Sequence, residues 1–253
     1  MYWDFVRYFF RANNSHAIHS PFVFEFYNKV FKNKTKYPEF DLIEAERNKL
    51  LVNNSTIQRQ DFGAGTKKNT PEKISSLAET SLKPKKWSQF LFRIIKFYNY
   101  ETVIDLGTSF GITTAYLAKA NTKVQVYTFE GCPETLKIAR STFQILDIQN
   151  VHCVQGNIDL TLEDNLKKIK QIDLAFFDAN HKEEPTMRYF EQCLKLKTEN
   201  SCFVFDDIYW SEEMKNAWNK VKNYEEVSIS IDLFFVGLVF FRKGIKKQHF
   251  ILK

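Results

Sequence analysis

The chain is poor in the residues that mark several protein classes. It has only eight glycines and six prolines in 253 residues, which excludes collagen-like and Pro/Gly-rich disordered architectures. Its four cysteines, Cys132, Cys153, Cys193 and Cys202, contain no C-x-x-C pair, so no zinc or dithiol motif is written in the sequence. They are expected to be reduced thiols packed as small hydrophobes, and the protein is expected to be cytoplasmic. No apolar run approaches the ~20 residues of a membrane span. Neither is there a basic segment followed by an apolar stretch and a cleavage site. No membrane partner is therefore expected. The net charge of +6 is too mild to imply nucleic acid by itself.

What is abundant is aromatic: 25 Phe and 11 Tyr. Many crowd the first thirty residues, among them Tyr2, Trp3, Phe5, Tyr8, Phe9 and Phe10, and are expected to pack a helical layer. Residues 1–100 read as an N-terminal helical appendage or lid. Helices are expected from Ser20-Pro21, over 39–52, from Thr70-Pro71, and from Lys85 to Tyr98 after Pro84. Lysine groups at 83–86 and 242–247 read as solvated surface or as attraction for an anionic substrate.

From Thr102 the period changes. Strand-length apolar runs at Val103–Leu106, Val124–Phe129, Val151–Gln155, Ile172–Phe177 and Cys202–Phe205 alternate with helical segments. Such alternation specifies a parallel sheet covered by helices. The last two runs, Val227–Ile231 and Phe234–Phe241, are too close for a crossover and should form an antiparallel hairpin. The expected fold is α/β: a Rossmann-like, seven-stranded, mostly parallel sheet over 101–253 with a C-terminal antiparallel hairpin.

Asp105-Leu-Gly-Thr-Ser-Phe-Gly111 falls where the first strand meets its helix. Gly107 allows a tight turn close to a ligand, and Gly111 lets the helix begin near the strand. Ligands bind such sheets at the carboxyl ends of the strands. Glu130, at the end of the second strand, is placed to accept ribose hydroxyls, and Asn157 after Gly156 to meet an adenine edge. The expected cofactor residues are Asp105, Gly107, Thr108, Ser109, Gly111, Glu130, Gly131, Asn157 and Asp178. The glycine spacing is not G-x-G-x-x-G, and the loop has no Lys for a nucleoside triphosphate. A second glycine loop, Asp61–Gly65, lacks a preceding apolar strand and reads as a tight turn.

Two strands end in carboxylates: Asp178, and the pair Asp206-Asp207. Neighbouring parallel strands would bring these like charges together, a costly arrangement unless a proton or cation relieves it. Three oxygen donors with no nearby thiolate suit Mg²⁺. Alternatively, one or two of these residues cap the element that follows.

The stretches Asp105–Thr114, Glu130, Phe177–His181 and Phe205–Ile208 carry a family resemblance. Thr102–Phe241 resembles class I S-adenosylmethionine-dependent methyltransferases, most closely the small-molecule O-methyltransferase branch that includes catechol O-methyltransferase. The whole chain is also similar to uncharacterised bacterial methyltransferases with a His-Ser-Pro-Phe-Val-Phe segment, here His19–Phe24. The resemblance implies S-adenosylmethionine as cofactor and Asp178, Asp206 and Asp207 as ligands of a metal such as Mg²⁺. The Asp-Asp pair departs from the Asp-Asn of the metal-dependent members. A Lys base of the catechol type is replaced here by His181, an imidazole able to accept a proton near neutral pH. Asp178 and His181 are thus the expected catalytic residues, with Lys182 as the neighbour able to substitute. His16, His19 and Trp210 are lesser candidates for a lid or pocket wall.

The expected function is O-methylation of a small hydroxylated acceptor, with or without metal assistance. Its alternatives are a nucleic-acid methyltransferase and a non-catalytic cofactor-binding scaffold; a homodimer is among the expected assemblies.

Overall fold

A computed structural model describes residues 1–14, 18–60 and 71–253. The expected candidate His16, the Asp61–Gly65 loop and Thr70 lie outside the described residues. In chain order the first elements are α1 (Tyr2–Arg11), α2 (Pro21–Phe26) with a π-helical turn Tyr27–Phe31, α3 (Pro38–Leu51), β1 (Thr56–Gln58), β2 (Pro71–Lys73), α4 (Ile74–Ser81) and α5 (Lys85–Tyr98). The alternating region follows as β3 (Thr102–Leu106), α6 (Ile112–Lys119), β4 (Gln125–Glu130), α7 (Pro133–Ile145), β5 (Val151–Gln155) and α8 (Ile158–Leu166). It continues as β6 (Ile172–Phe177), α9 (Glu183–Leu194), β7 (Lys197–Asp206) and α10 (Glu212–Asn223), and closes with β8 (Ile229–Asp232), β9 (Val236–Phe240) and β10 (Gln248–Ile251).

Two compact units are distinguished, one of Lys32–Leu162 and one of Met1–Phe31 with Glu163–Lys253. In the first, β3, β4 and β5 are parallel neighbours in that order, with Asp105 beside Thr128 and Glu130 beside Gln155. β3 is a short apolar run whose last four residues are buried. α6 is buried almost all round, from Ile112 to Ala118, as expected of a helix whose residues are apolar or small on every face.

The second unit runs β10-β8-β9-β7-β6. β6 and β7 are parallel, with Phe177 opposite Phe205, whereas β9 is antiparallel to both β7 and β8. The expected hairpin is therefore present. To the seven expected strands the structure adds β10, parallel to β8. The run Gln-His-Phe-Ile is too short and too mixed to announce itself. It is held by chain-distant bonds: the Tyr8 hydroxyl donates to the Leu252 carbonyl, the Tyr27 hydroxyl to the Lys253 carbonyl at 2.8 Å, and the Asn13 amide to the Ile251 carbonyl at 2.8 Å.

The Ser20-Pro21 helix start is as expected, with the Ser20 hydroxyl accepting from the Val23 amide. The helix expected at Pro71 begins at Ile74 instead. Pro71–Lys73 pairs with Thr56–Gln58 as a two-stranded ribbon. Proline, lacking a donor, sits at its first position, where a strand tolerates it.

Candidate active site

Within the unit of residues 32–162, the loop between β3 and α6 is held in an unusual backbone. Gly107, Ser109 and Gly111 all have positive φ, at 115°, 48° and 80°. The first and last are open to glycine at little cost; Ser109 must be held there. It is held by Glu130. The Ser109 amide donates to Glu130 Oε2 at 2.9 Å, and the Cys132 amide donates to Oε1 at 2.9 Å. The end of β4 thereby fastens the glycine loop. A carboxylate has about four acceptor sites, so two amide donors leave capacity for hydroxyl groups. Burial raises the Glu130 pKa, opposed by those amides, the Gly131 amide and the nearby Arg59 charge.

Asp105 lies beneath the loop and is fully buried. Its Oδ2 accepts from Thr114 at 2.6 Å and from Thr128 at 2.8 Å. Thr128 has one hydroxyl proton and spends it on Asp105, so in its 2.6 Å contact with Thr108 Thr108 is the donor. Among the described residues Asp105 Oδ1 has no partner. Desolvation pushes the Asp105 carboxyl up to about 6, opposed by the two hydroxyls and reinforced by the Glu130 charge. The loop's own amides are largely spent: those of Gly107 and Thr108 donate to the Phe129 carbonyl, that of Ser109 to Glu130 and that of Gly111 to the Thr108 carbonyl.

Gly111 serves packing. A Cβ there would meet the Phe143 ring at 2.7 Å and Ala139 at 3.1 Å, so it admits α7 against the start of α6. Asn157 also has a local duty: its Oδ1 accepts from the Asp159 amide at 3.0 Å, which caps α8 and leaves its amide hydrogens for other partners.

Four residues that sequence reasoning gave no role belong to this half. Thr114 and Thr128 hold Asp105. Ser81, the last residue of α4, meets Ser109 through their hydroxyls at 3.1 Å. Arg59 follows β1 and acts on Glu130. Thr114 was visible inside the loop motif, and Thr128 as a lone polar residue in an apolar strand. The other two follow a segment with no periodic signal.

In the second unit the candidate residues gather at the carboxyl ends of β6 and β7. The strand registers, with Phe177 opposite Phe205 and Asp206 opposite Val236, bring Asp178, Asp206 and the β8–β9 turn to one end of the sheet. The backbone is again strained: Asn180, His181, Asp207 and Phe234 have φ of 68°, 41°, 51° and 69°. None is glycine, and strain of this kind persists only where surrounding contacts impose it. The His181 amide donates to the Ala179 carbonyl at 2.8 Å, and the Asp207 amide to the Phe235 carbonyl at 2.8 Å.

His181 Nε2 stands 3.7 Å from Asp178 Oδ1. That is too long for a hydrogen bond. Lys182 caps α9. Asp206 is buried, while Asp207 is half-buried. Among the described residues no group of three or more His, Cys, Asp or Glu side chains could hold a metal ion. Asp178, Asp206 and Asp207 share a sheet end and do not form such a group. Trp210 and His19 are exposed. Sequence reasoning missed Asp232, which is buried and accepts from the Tyr209 hydroxyl at 2.7 Å and the Phe234 amide at 2.9 Å. Burial raises its pKa against those two donors.

A family described as methyltransferase domain matches residues 104–208. This segment begins inside β3 and ends just beyond Asp207. The fold is that of solved methyltransferases. An O-methyltransferase from Bacillus cereus, in complex with S-adenosylhomocysteine, is 15% identical with a TM-score of 0.58, covering 85% of this chain and 94% of that one. The Podospora anserina methyltransferase PaMTH1, also bound to S-adenosylhomocysteine, is 13% identical with a TM-score of 0.61, covering 89% and 97%. The O-methyltransferase TomG of Streptomyces achromogenes, involved in tomaymycin synthesis and bound to S-adenosylmethionine, is 17% identical with a TM-score of 0.56, covering 64% and 82%. No curated protein sequence matches the chain. Among the described residues, no helix is long and apolar enough to cross a membrane.

Proposed function

We propose that the chain is an S-adenosylmethionine-dependent O-methyltransferase acting on a small hydroxylated acceptor. The observation that carries this reading is the loop Gly107–Gly111 fastened by Glu130 above the unpartnered Asp105 oxygen. Two solved structures of the same fold are named as O-methyltransferases with an adenosyl ligand bound. The cofactor would lie against the loop, with the spare acceptor sites of Glu130 for its ribose hydroxyls and Asn157 for its base. When bound, it supplies an activated methyl group, so the protein needs no nucleophile of its own.

The chain's own chemistry is then proton removal and orientation. His181 takes the acceptor's hydroxyl proton at Nε2, and Asp178 stabilises the imidazolium at 3.7 Å. The strained backbone of Asn180 and His181 fixes the ring's position, and positioning of this kind supplies much of the rate in a transfer to a ready electrophile. No step is assigned to Mg²⁺, because the three Asp residues do not form a donor group.

The test is transfer of a radiolabelled methyl group from S-adenosylmethionine to a panel of phenols, catechols and aliphatic alcohols. Label in an ether product, lost in His181→Gln, supports the reading. Label found only in RNA or in amines removes it.

A further inference from the structure

Helix α1 carries a face that the described residues leave largely uncovered. Tyr2, Trp3 and Phe10 are 75%, 73% and 83% exposed, and Phe5 and Phe9 are also exposed. At 100° per residue these five rings span roughly 160° of the helix. An unburied aromatic run of this width is uncommon on a protein that works free in water.

The opposite face is anchored. Tyr8 is buried, with its ring 5.3 Å from that of Phe234 and its hydroxyl on the Leu252 carbonyl. Phe5 meets Phe234 edge-on at 5.0 Å. The helix is therefore fixed along its length, with the aromatic arc turned outward.

The charge around the arc has one sign. Arg7 is exposed at its edge and Arg11 farther round the helix, and Lys253 Nζ lies 4.3 Å from the Phe9 ring centre. The helix's one acid, Asp4, is half-buried and paired to Lys215 at 3.4 Å. We propose that α1 is an interfacial helix that docks the protein on an anionic lipid surface. Trp and Tyr rings suit the headgroup layer, with their polar edges wet and their faces in the acyl boundary. The Arg7 and Lys253 cations add attraction to acidic headgroups. The proposal departs from the sequence expectation of no membrane partner, which considered spanning segments.

The test is co-sedimentation of the full chain with vesicles of phosphatidylcholine alone and of phosphatidylcholine with phosphatidylserine at 3:1. The intact chain should pellet with the anionic vesicles, and less so as salt rises. Trp3→Ser with Phe10→Ser should lower partitioning roughly tenfold or more. Arg7→Gln should lower it about fivefold. Circular dichroism should show every variant folded, since the altered side chains are exposed. Absence of binding to anionic vesicles overturns the proposal. So does equal binding to neutral vesicles, and so does a dimer in sedimentation velocity that the Trp3/Phe10 variant abolishes.

Discussion

Replacing Gly111 by alanine should cost about 2–5 kcal/mol of folding stability, and the structure separates two sources for that loss. The residue has φ of 80°, a left-handed conformation that costs an alanine roughly 1–2 kcal/mol. The new methyl would also stand 2.7 Å and 2.8 Å from two carbons of the Phe143 ring. Overpacking of this kind costs about 1–3 kcal/mol. The assay is urea denaturation of Gly111→Ala, Phe143→Leu and the double variant. Shortening residue 143 relieves the collision and leaves the backbone cost, so the double variant should be less damaged than the sum of the singles. A loss below about 1 kcal/mol in Gly111→Ala, or strict additivity, would refute the account of this glycine as a packing residue.

Stability should fall as pH rises from about 4 to 6, because Asp105 is pushed up to about 6 in the fold and so keeps a proton that the unfolded chain has released. The contribution is complete below the unfolded value of 3.8 and gone above 6, a difference of roughly 3 kcal/mol; melts of wild type and Asp105→Asn across this range should show a steeper slope in the former, since the raised Glu130 and Asp232 carboxyls titrate in both. His181→Gln should lower kcat by about 10²–10⁴-fold with cofactor affinity unchanged in calorimetry; a kcat within threefold of wild type would move the base elsewhere. Tyr209→Phe should cost about 1–3 kcal/mol in a chemical melt, since it takes a donor from buried Asp232.

Much of the α/β core was legible because its segments are periodic and bounded by turn residues. β5 and β6 occupy the expected residues, and most other boundaries shift by a few residues, as frayed ends do, whereas β7 begins at Lys197, five residues before the expected Cys202. β10 and the ribbon of β1 with β2 were not legible. Both are short, and both exist through partners far along the chain: Tyr8 and Asn13 for the former, Cys132 and the helix behind it for the latter, where the Gln60 amide meets Cys132 Sγ at 3.5 Å. In the candidate site, Asp105, Glu130 and the two loop glycines could be read from motif spacing. Their division of labour could not, since Gly111 differs from Gly107 by the ring that approaches it. The Asp178, Asp206 and Asp207 cluster was readable as three acids at strand ends. Spacing alone does not say whether such side chains converge on one point.

The most direct test of the central claim is isothermal titration calorimetry of the purified chain with S-adenosylmethionine and S-adenosylhomocysteine, with NAD as control. The account predicts micromolar binding of both adenosyl ligands, none of NAD, and at least tenfold weaker binding in Glu130→Ala, which loses both the loop clasp and the acceptor for the ribose. Heat from NAD alone, or adenosyl binding indifferent to Glu130, would contradict it.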